Sequence, residues 1–282
     1  MLISTDSINN LIDKKESLYE IFCSGLFLSA KWFTVSQTDH DGIQLIILPD
    51  KDSAEYCSAD LYNLIEGDDV FFFPDSGRNL EKSNYKSTLE VQRTAAIGRI
   101  IEYDKGPLYI VTYPSALEEG IPDVKDIKDS VLKFSIGDEI SHDEIVDSLF
   151  NSGFERVDFV AEPGQFAIRG AIVDIFSYSC NNPYRISFFG DEIDSINIFD
   201  CNTQLSKEKI DSAEIYPDIN TEGSEESFIN ILDIFPDNTL VWLDSSDMYK
   251  DKDFFGLLER FRRIYFELPL SRQDEESVKF NI

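Results

Sequence analysis

The stretch GFERVDFVAEPGQFAIRGAIVDIFSYSCNNPYRISFFGDEIDSINIFD, residues Gly153 to Asp200, decides the fold of the middle of this chain. Strand-like runs alternate in it with turn signals rich in Pro, Gly and Asn. We therefore predict a small, mainly antiparallel sheet with one solvated face. The predicted strands are Val157–Val160, Phe166–Phe176, Tyr184–Phe189 and Ile193–Phe199.

Alternation along the third of these strands assigns its side chains to two faces of the sheet. Arg185 and Phe189 fall on the polar face, and Arg169 on the preceding strand is another candidate for that face. One interpretation is that Phe189 folds under a loop into a satellite core, with the arginines as ordinary solvated charges. The other is a protein-binding patch, because arginine and aromatic residues are enriched at binding hot spots.

A resemblance to a known family rests on three strings in this stretch. They are EPGQF at 162–166, RGxxVDIF at 169–176 and PYRIxFFGDEIDSI at 183–196. These strings closely resemble the second domain of the UvrB-like module, which occurs in the nucleotide-excision repair protein UvrB and at the N-terminus of the bacterial transcription-repair coupling factor, Mfd. The resemblance implies a domain that docks UvrA, with the family's contact positions on Arg169, Arg185 and Phe189.

The chain has 282 residues and a net charge of −29. Sequence-independent affinity for DNA comes from Lys and Arg that neutralise phosphates, so this chain is a poor candidate for binding DNA by itself. The alternative is that the acidity only confers solubility and leaves the choice of partner to local patches.

Four cysteines, at 23, 57, 180 and 201, lack any CxxC spacing, and the only histidines are His40 and His142. We therefore predict no metal site and no catalytic set of nucleophile, base and orienting group. The thiols are expected to be free in a reducing cytoplasm. No apolar run approaches the roughly 20 residues that a membrane-spanning helix needs.

The first 120 residues alternate between predicted helices and predicted strands, which indicates a parallel sheet with right-handed crossovers. The helices are Thr5–Phe22, a helix capped by Asp52 or Ser53 and running to Ile65, and a helix opened by a capping box at Ser87–Glu90. The strands are Ile43–Leu48, Val70–Phe73 and Leu108–Thr112.

Residues 23–32 look like a degenerate phosphate-binding loop. Gly25 and Lys31 have the separation of GxxxxGK[ST], but Ala30 stands for the second glycine and Trp32 for the hydroxyl residue that binds magnesium. We predict that this loop does not hold nucleotide, and an accidental match of Gly25 and Lys31 is the other possibility. The chain also lacks, after Phe73, the tyrosine-rich hairpin with which UvrB clamps DNA, which favours the coupling-factor branch of the family.

The remaining predictions concern the boundaries of these segments. Residues 118–133 are predicted to be a linker, and Ser141–Glu144 a capping box that opens a helix burying Ile145, Val146, Leu149 and Phe150. Asp244 follows an apolar strand where a magnesium carboxylate would stand, but without a partner glutamate it is interpreted as a turn aspartate. The later elements are a helix Ser227–Phe235, a strand Thr239–Leu243, a helix Phe254–Ile264 and a strand Tyr265–Leu268.

The predicted fold class is α/β with an α+β insertion. A degenerate RecA-like or helicase-like parallel-sheet domain, residues 1–120 and 204–282, is split in sequence around a UvrA-binding domain, residues 121–203. The resemblance implies that the full-length relatives continue into an RNA-polymerase-binding domain and two motor domains that use ATP and magnesium.

The predicted function is a binding module that recruits UvrA to RNA polymerase stalled at DNA damage. The resemblance further implies that another, C-terminal domain masks the docking site in the full-length protein, which would be an ATP-dependent translocase that displaces polymerase from DNA. No cofactor is expected for this chain. The alternative is a nucleotide- or DNA-binding enzyme related to UvrB or the helicases.

Overall fold

The computed structural model describes residues 9, 20–24, 26, 29–65, 69–77, 84–180, 182–219, 228–245, 249–267 and 278–279. The strands in these ranges are β1 Glu20–Ser24, β2 Ile43–Ile47, β3 Val70–Phe72, β4 Leu108–Thr112, β5 Ile121–Pro122, β6 Leu132–Ser135, β7 Glu155–Arg156, β8 Gln165–Arg169, β9 Ile172–Ile175, β10 Tyr184–Phe189, β11 Glu192–Phe199, β12 Ser206–Ile210, β13 Ser212–Ile215, β14 Phe228–Ile229, β15 Leu240–Leu243, β16 Arg262–Tyr265 and β17 Val278–Lys279. The α-helices are α1 Ser29–Ser36, α2 Lys51–Ile65, α3 Asn84–Ile101, α4 Pro114–Glu118, α5 Val124–Ser130 and α6 His142–Asn151.

A seven-stranded sheet has the order β17-β1-β16-β15-β2-β4-β3, and each pair of neighbours is parallel. Every residue of β2, β4 and β15 is buried, which explains why their sequences are apolar apart from Gln44 in β2 and Thr112 in β4. The α/β fold class and the predicted strands near 43, 70, 108 and 240 are therefore confirmed.

The centre of this sheet joins two distant parts of the sequence. β15 lies beside β2, with Leu240 opposite Gln44 and Leu243 opposite Ile47. The indole of Trp242 is fully buried and donates a hydrogen bond to Gln44 Oε1 over 2.9 Å. Because a buried N–H needs an acceptor, Gln44 allows the largest side chain of the core to sit in the middle of the sheet.

A six-stranded sheet has the order β12-β11-β10-β9-β8-β7, antiparallel except for the β7–β8 pair. The predicted strand Tyr184–Phe189 is confirmed residue for residue. The predicted single strand from 166 to 176 is wrong, because the chain reverses at Gly170, whose φ of +62° suits glycine, and continues as β9. The predicted strand from 157 to 160 is also wrong, since pairing with β8 ends at Arg156.

The inner face of this sheet packs against α6, as predicted. The core beneath the sheet consists of Phe134, Ile145, Leu149, Phe154, Phe166, Val173, Ile175, Ile186, Phe188, Ile193, Ile196, Ala213 and Ile215. The predicted capping box is present, with Ser141 Oγ accepting from the Glu144 backbone N–H and Glu144 Oε2 accepting from the Ser141 backbone N–H. The predicted burial of Phe150 is wrong, because its ring is half exposed and contacts Phe166 only by an edge.

Several predicted helices are replaced by other structure. Residues 20–22 lie in β1, and the rest of the predicted first helix is outside the described residues except for a helical residue 9. The predicted helix from 227 to 235 is instead β14 followed by a 3-10 helix, Ile231–Ile234. The predicted last helix is a 3-10 helix, Asp253–Arg260, followed by β16, so the final predicted strand lies a few residues too late.

Two further predictions about local structure fail. α3 begins at Asn84, so Ser87 stands inside the helix and cannot be its N-terminal cap. The predicted linker at 118–133 contains β5 and α5 and runs into β6. β5 pairs with β14, and the side chain of Asp123 caps α5 by accepting from the Lys125 backbone N–H.

The contacts divide the chain into two compact units. The first comprises Met1–Asp75, Arg99–Gly120 and Asn230–Ile282, and the second comprises Ser76–Gly98 and Ile121–Ile229. The first unit holds the parallel sheet, and the second holds the six-stranded sheet and α6. The predicted boundary between 203 and 204 falls inside the second unit, and the predicted functional ranges stay a prediction.

Candidate functional site

The outer face of the six-stranded sheet, opposite α6, carries a row of side chains in register. Ala167 pairs with Asp174, Asp174 with Arg185, and Arg185 with Asn197. The next pair of the row joins Asn197 to Lys209 on β12. The strand register therefore places an acidic side chain between a small side chain and an arginine, on a face that sequence alternation predicted to be polar.

Asp174 holds the two predicted arginines together. Its carboxylate is 1% exposed and accepts from Arg185 Nε over 2.7 Å and from Arg185 Nη2 over 2.9 Å. Arg169 Nη2 also donates to Asp174 Oδ2. Fork-shaped pairing of this kind is strong because the guanidinium and carboxylate match in geometry as well as in charge. The hydrogen bonds that Arg185 donates to Asp174 raise the pKa of Arg185 above its usual value.

The arginines are consequently not freely exposed, which corrects the sequence prediction. The side chain of Arg169 is 33% exposed and that of Arg185 is 17% exposed. Arg185 also donates to Gln204 O and Gln204 Oε1, at 3.3 and 3.1 Å, and its Cζ lies 4.1 Å from the ring centroid of Phe199. These contacts use nearly the whole donor capacity of the guanidinium.

Part of the outer face is covered by a second, smaller core. It consists of Val160, Ala167, Phe176 and Phe199, with Val157 and Cys201 packed against it. One interpretation of the sequence placed Phe189 in a satellite core. That core exists, but it contains Phe199 and not Phe189. This core fixes the segment 157–160 over the sheet, and there Phe159 lies with its ring centroid 5.0 Å from Arg169 Cζ.

Phe189 remains outside both cores. It is 82% exposed at the end of β10, whereas its neighbour Phe188 is buried in the core beneath the sheet. Gly190 follows with a φ of +68°, so the chain turns back immediately into β11 and nothing in this hairpin shields the ring. The predicted exposure of Phe189 is confirmed.

The lysine of the predicted degenerate phosphate loop forms an ion pair with the residue that follows β15. Gly25 lies outside the described residues, but Lys31 in α1 places its Nζ 2.7 Å from Asp244 Oδ1. The same ammonium lies 5.2 Å from the ring centroid of Phe266. Asp244 was interpreted from the sequence as a turn residue, and the structure instead makes it the partner of Lys31.

Aromatic rings pack around this ion pair. Trp32 contacts the edge of Phe266 at 5.9 Å between centroids, and Trp242 stacks on the same ring at 5.4 Å. Burial raises the pKa of the Cys57 thiol, and the nearby negative charge of Asp244 raises it further. In a working phosphate loop the lysine reaches the β- and γ-phosphates, whereas here a carboxylate of the protein neutralises it.

The histidines do not contribute to either site. His142 lies in the first turn of α6 with its ring 4.6 Å from that of Phe188, and burial lowers the pKa of His40. Within the described ranges, no group of three or more His, Cys, Asp or Glu side chains is arranged to hold a metal ion. None of the helices in those ranges combines the length and the apolarity needed to cross a membrane.

Comparison with known proteins gives matches that include the six-stranded sheet. Residues 132–220 match the family model of the UvrB interaction domain. The chain is 32% identical to a transcription-repair-coupling factor of Bacillus subtilis over 72% of its own length and 17% of the relative. It is 27% identical to one from Staphylococcus aureus strain bovine RF122 / ET3-1 over 89% of its length and 22% of the relative. The chain thus spans about a fifth of the length of these relatives.

Proposed function

We infer that this chain, which carries a UvrB interaction domain and is related over most of its length to the transcription-repair-coupling factors, is a docking module that recruits UvrA. The observation that carries the proposal is the exposed ring of Phe189 on the same outer face of that domain as a paired set of arginines. An exposed aromatic side chain lowers the free energy of binding when a partner covers it.

The chemistry of the face indicates what the surface of UvrA should offer. The ring of Phe189 needs an apolar pocket. Arg169 already pairs with Asp174 but keeps a third of its side chain exposed, so it can also bind a carboxylate of the partner. The exposed part of Arg169 favours an acidic group on the partner, and the net charge of −29 of the chain disfavours DNA.

The direct test is co-elution of the 282-residue chain with purified UvrA in size-exclusion chromatography. We expect a shared peak at micromolar concentrations and separate peaks when Arg169, Arg185 and Phe189 are all replaced by alanine. A triple variant that still shares the peak with UvrA would show that the docking site lies elsewhere.

The parallel-sheet unit is proposed to be a degenerate RecA-like fold that no longer binds nucleotide. Three observations support this proposal: Ala30 and Trp32 at key positions of the loop, the neutralisation of Lys31 by Asp244, and the packing of Phe266 against the ammonium. They also disfavour the alternative of a nucleotide-binding enzyme.

Titration of a fluorescent ATP analogue with magnesium into the chain checks this proposal. We expect no saturable signal at micromolar concentrations, because an incoming phosphate would have to displace Asp244 from Lys31. A known P-loop ATPase titrated in parallel is the positive control. Saturable micromolar binding would contradict this proposal and support the alternative of a nucleotide-binding protein.

The wider role follows from the longer relatives and is proposed on the same basis. The coupling factor would bring UvrA to an RNA polymerase stalled at DNA damage. Polymerase binding, DNA binding and ATP-driven translocation would belong to other domains, one of which, at the C-terminus, would cover the docking face until polymerase is engaged. A reducing cytoplasm is the proposed location, in keeping with four free thiols.

A further inference from the structure

Two loops of the second unit fold onto the outer face of its sheet, and each carries an exposed apolar side chain. One loop is 157–160, held by Val157 and Val160 in the small outer core. The other is 200–205, held by Cys201 in the same core and by the hydrogen bonds of Gln204 to Arg185. Phe159 in the first loop is 63% exposed and Leu205 in the second is 69% exposed.

The position of Phe159 is tied to one of the docking arginines. The guanidinium of Arg169 lies over its ring, so the two side chains form a single layer on the outer face. Arg169 pairs with Ile172, and Ile172 with Ser187, in the row of the sheet next to Phe189. A partner that covers Phe189 and reaches Arg169 therefore meets the exposed side of Phe159.

The loop that carries Leu205 is preorganised. Asp200 Oδ1 accepts from the backbone N–H groups of Asn202 and Thr203 at 3.0 and 2.9 Å, and these contacts lower its pKa. The Leu205 carbonyl accepts from the Asp200 N–H. Gln204 has a φ of +61°, a strained conformation for a residue with a side chain. Arg185 donates hydrogen bonds to its backbone carbonyl oxygen and to its side-chain Oε1. A fixed loop loses little conformational entropy when a partner covers it.

We propose that Phe159 and Leu205 are UvrA-contacting residues, so that the docking surface runs from Phe189 past the arginine pair to the loop 200–205. The inference rests on the proposed function and extends it. Phe189 and Arg185 are about 13 Å apart along β10, so the surface is wider than one hot spot. Lys209, in the same row as Arg185, adds positive charge to it, which fits an apolar protein surface bordered by carboxylates.

Affinity measurements with purified UvrA test the proposal through Phe159→Ala and Leu205→Ala. We expect each variant to bind about fivefold to thirtyfold more weakly than the wild-type chain. Tyr62→Ala and Leu64→Ala are the matched controls, because they truncate exposed side chains of similar type on α2 and should bind as wild type does. Thermal unfolding of each variant checks that the fold is unchanged.

Hydrogen exchange on the wild-type chain tests the same point without any substitution. We expect the amides of 157–160 and 200–206 to exchange more slowly when UvrA is added, together with those around Phe189. Wild-type affinity of both variants and unchanged exchange in both loops, with Phe189→Ala still weakened, would overturn the extended surface and leave the proposed function intact. If Phe189→Ala also binds as wild type does, the proposed docking site itself fails.

Discussion

Replacing Asp174 with alanine is expected to lower the free energy of unfolding of the second unit by about 3 kcal/mol. The carboxylate is 1% exposed and joins Arg169 to Arg185 across three strands. Its removal leaves Arg185 with its charge largely buried, and the loss of one partner of such a pair costs more than the pair contributes. The variant should also lose UvrA binding, because both arginines would be released.

Native-state hydrogen exchange of the amides in β9 and β10 measures this effect in the second unit alone. A loss of about 3 kcal/mol corresponds to exchange that is on the order of a hundredfold faster. Asp194→Ala is the control, because Asp194 lies exposed on the neighbouring strand β11 and its truncation should leave exchange unchanged. Equal exchange rates in the two variants would mean that Asp174 does not hold this face together.

Replacing Phe189 with alanine is expected to weaken UvrA binding by about 2–3 kcal/mol, or roughly thirtyfold to a hundredfold, without loss of stability. The ring is 82% exposed and belongs to neither core, so folding does not depend on it. In a complex the partner would cover this ring and remove its apolar area from water. The alanine variant lacks that area and therefore loses its contribution to binding.

Surface plasmon resonance with immobilised UvrA gives the affinity of this variant, and thermal unfolding gives its stability. Tyr56→Ala is the matched control, because Tyr56 is an equally isolated ring, 76% exposed on α2 in the first unit. A lowered melting temperature together with normal UvrA affinity would mean that Phe189 stabilises the fold and does not contribute to UvrA binding.

The sequence predicted the exposed ring but not the state of the arginines, and strand pairing explains the difference. Alternation along β10 is a local property, so the outward direction of Arg185 and Phe189 could be inferred from one strand. The contact of Arg169 with Asp174 depends on the reversal at Gly170, which was missed because 166–176 was interpreted as one continuous strand. A signal was present, because Asp174 is the one charged residue in the run GAIVDIF at 170–176.

The ion pair of Lys31 with Asp244 could not be found from spacing, because 213 residues separate the two. It follows from strand order, since β1 and β15 are both parallel neighbours of β16 and their carboxyl ends meet at one edge of the sheet. The misassigned helices between 227 and 264 have a similar cause. Apolar spacing there fits a helix, but β16 pairs on both sides with parallel strands that lie far away in sequence.

The positions of the two units in the sequence determine the order in which they are completed during synthesis. Every residue of the second unit has left the ribosome once position 229 emerges, so that unit is complete at that point. The mainly apolar strand β2 pairs on one side with β15, which is synthesised nearly two hundred residues later. During translation we therefore expect the second unit to fold first, while the unpaired edge of β2 is exposed to other newly made chains until β15 is synthesised.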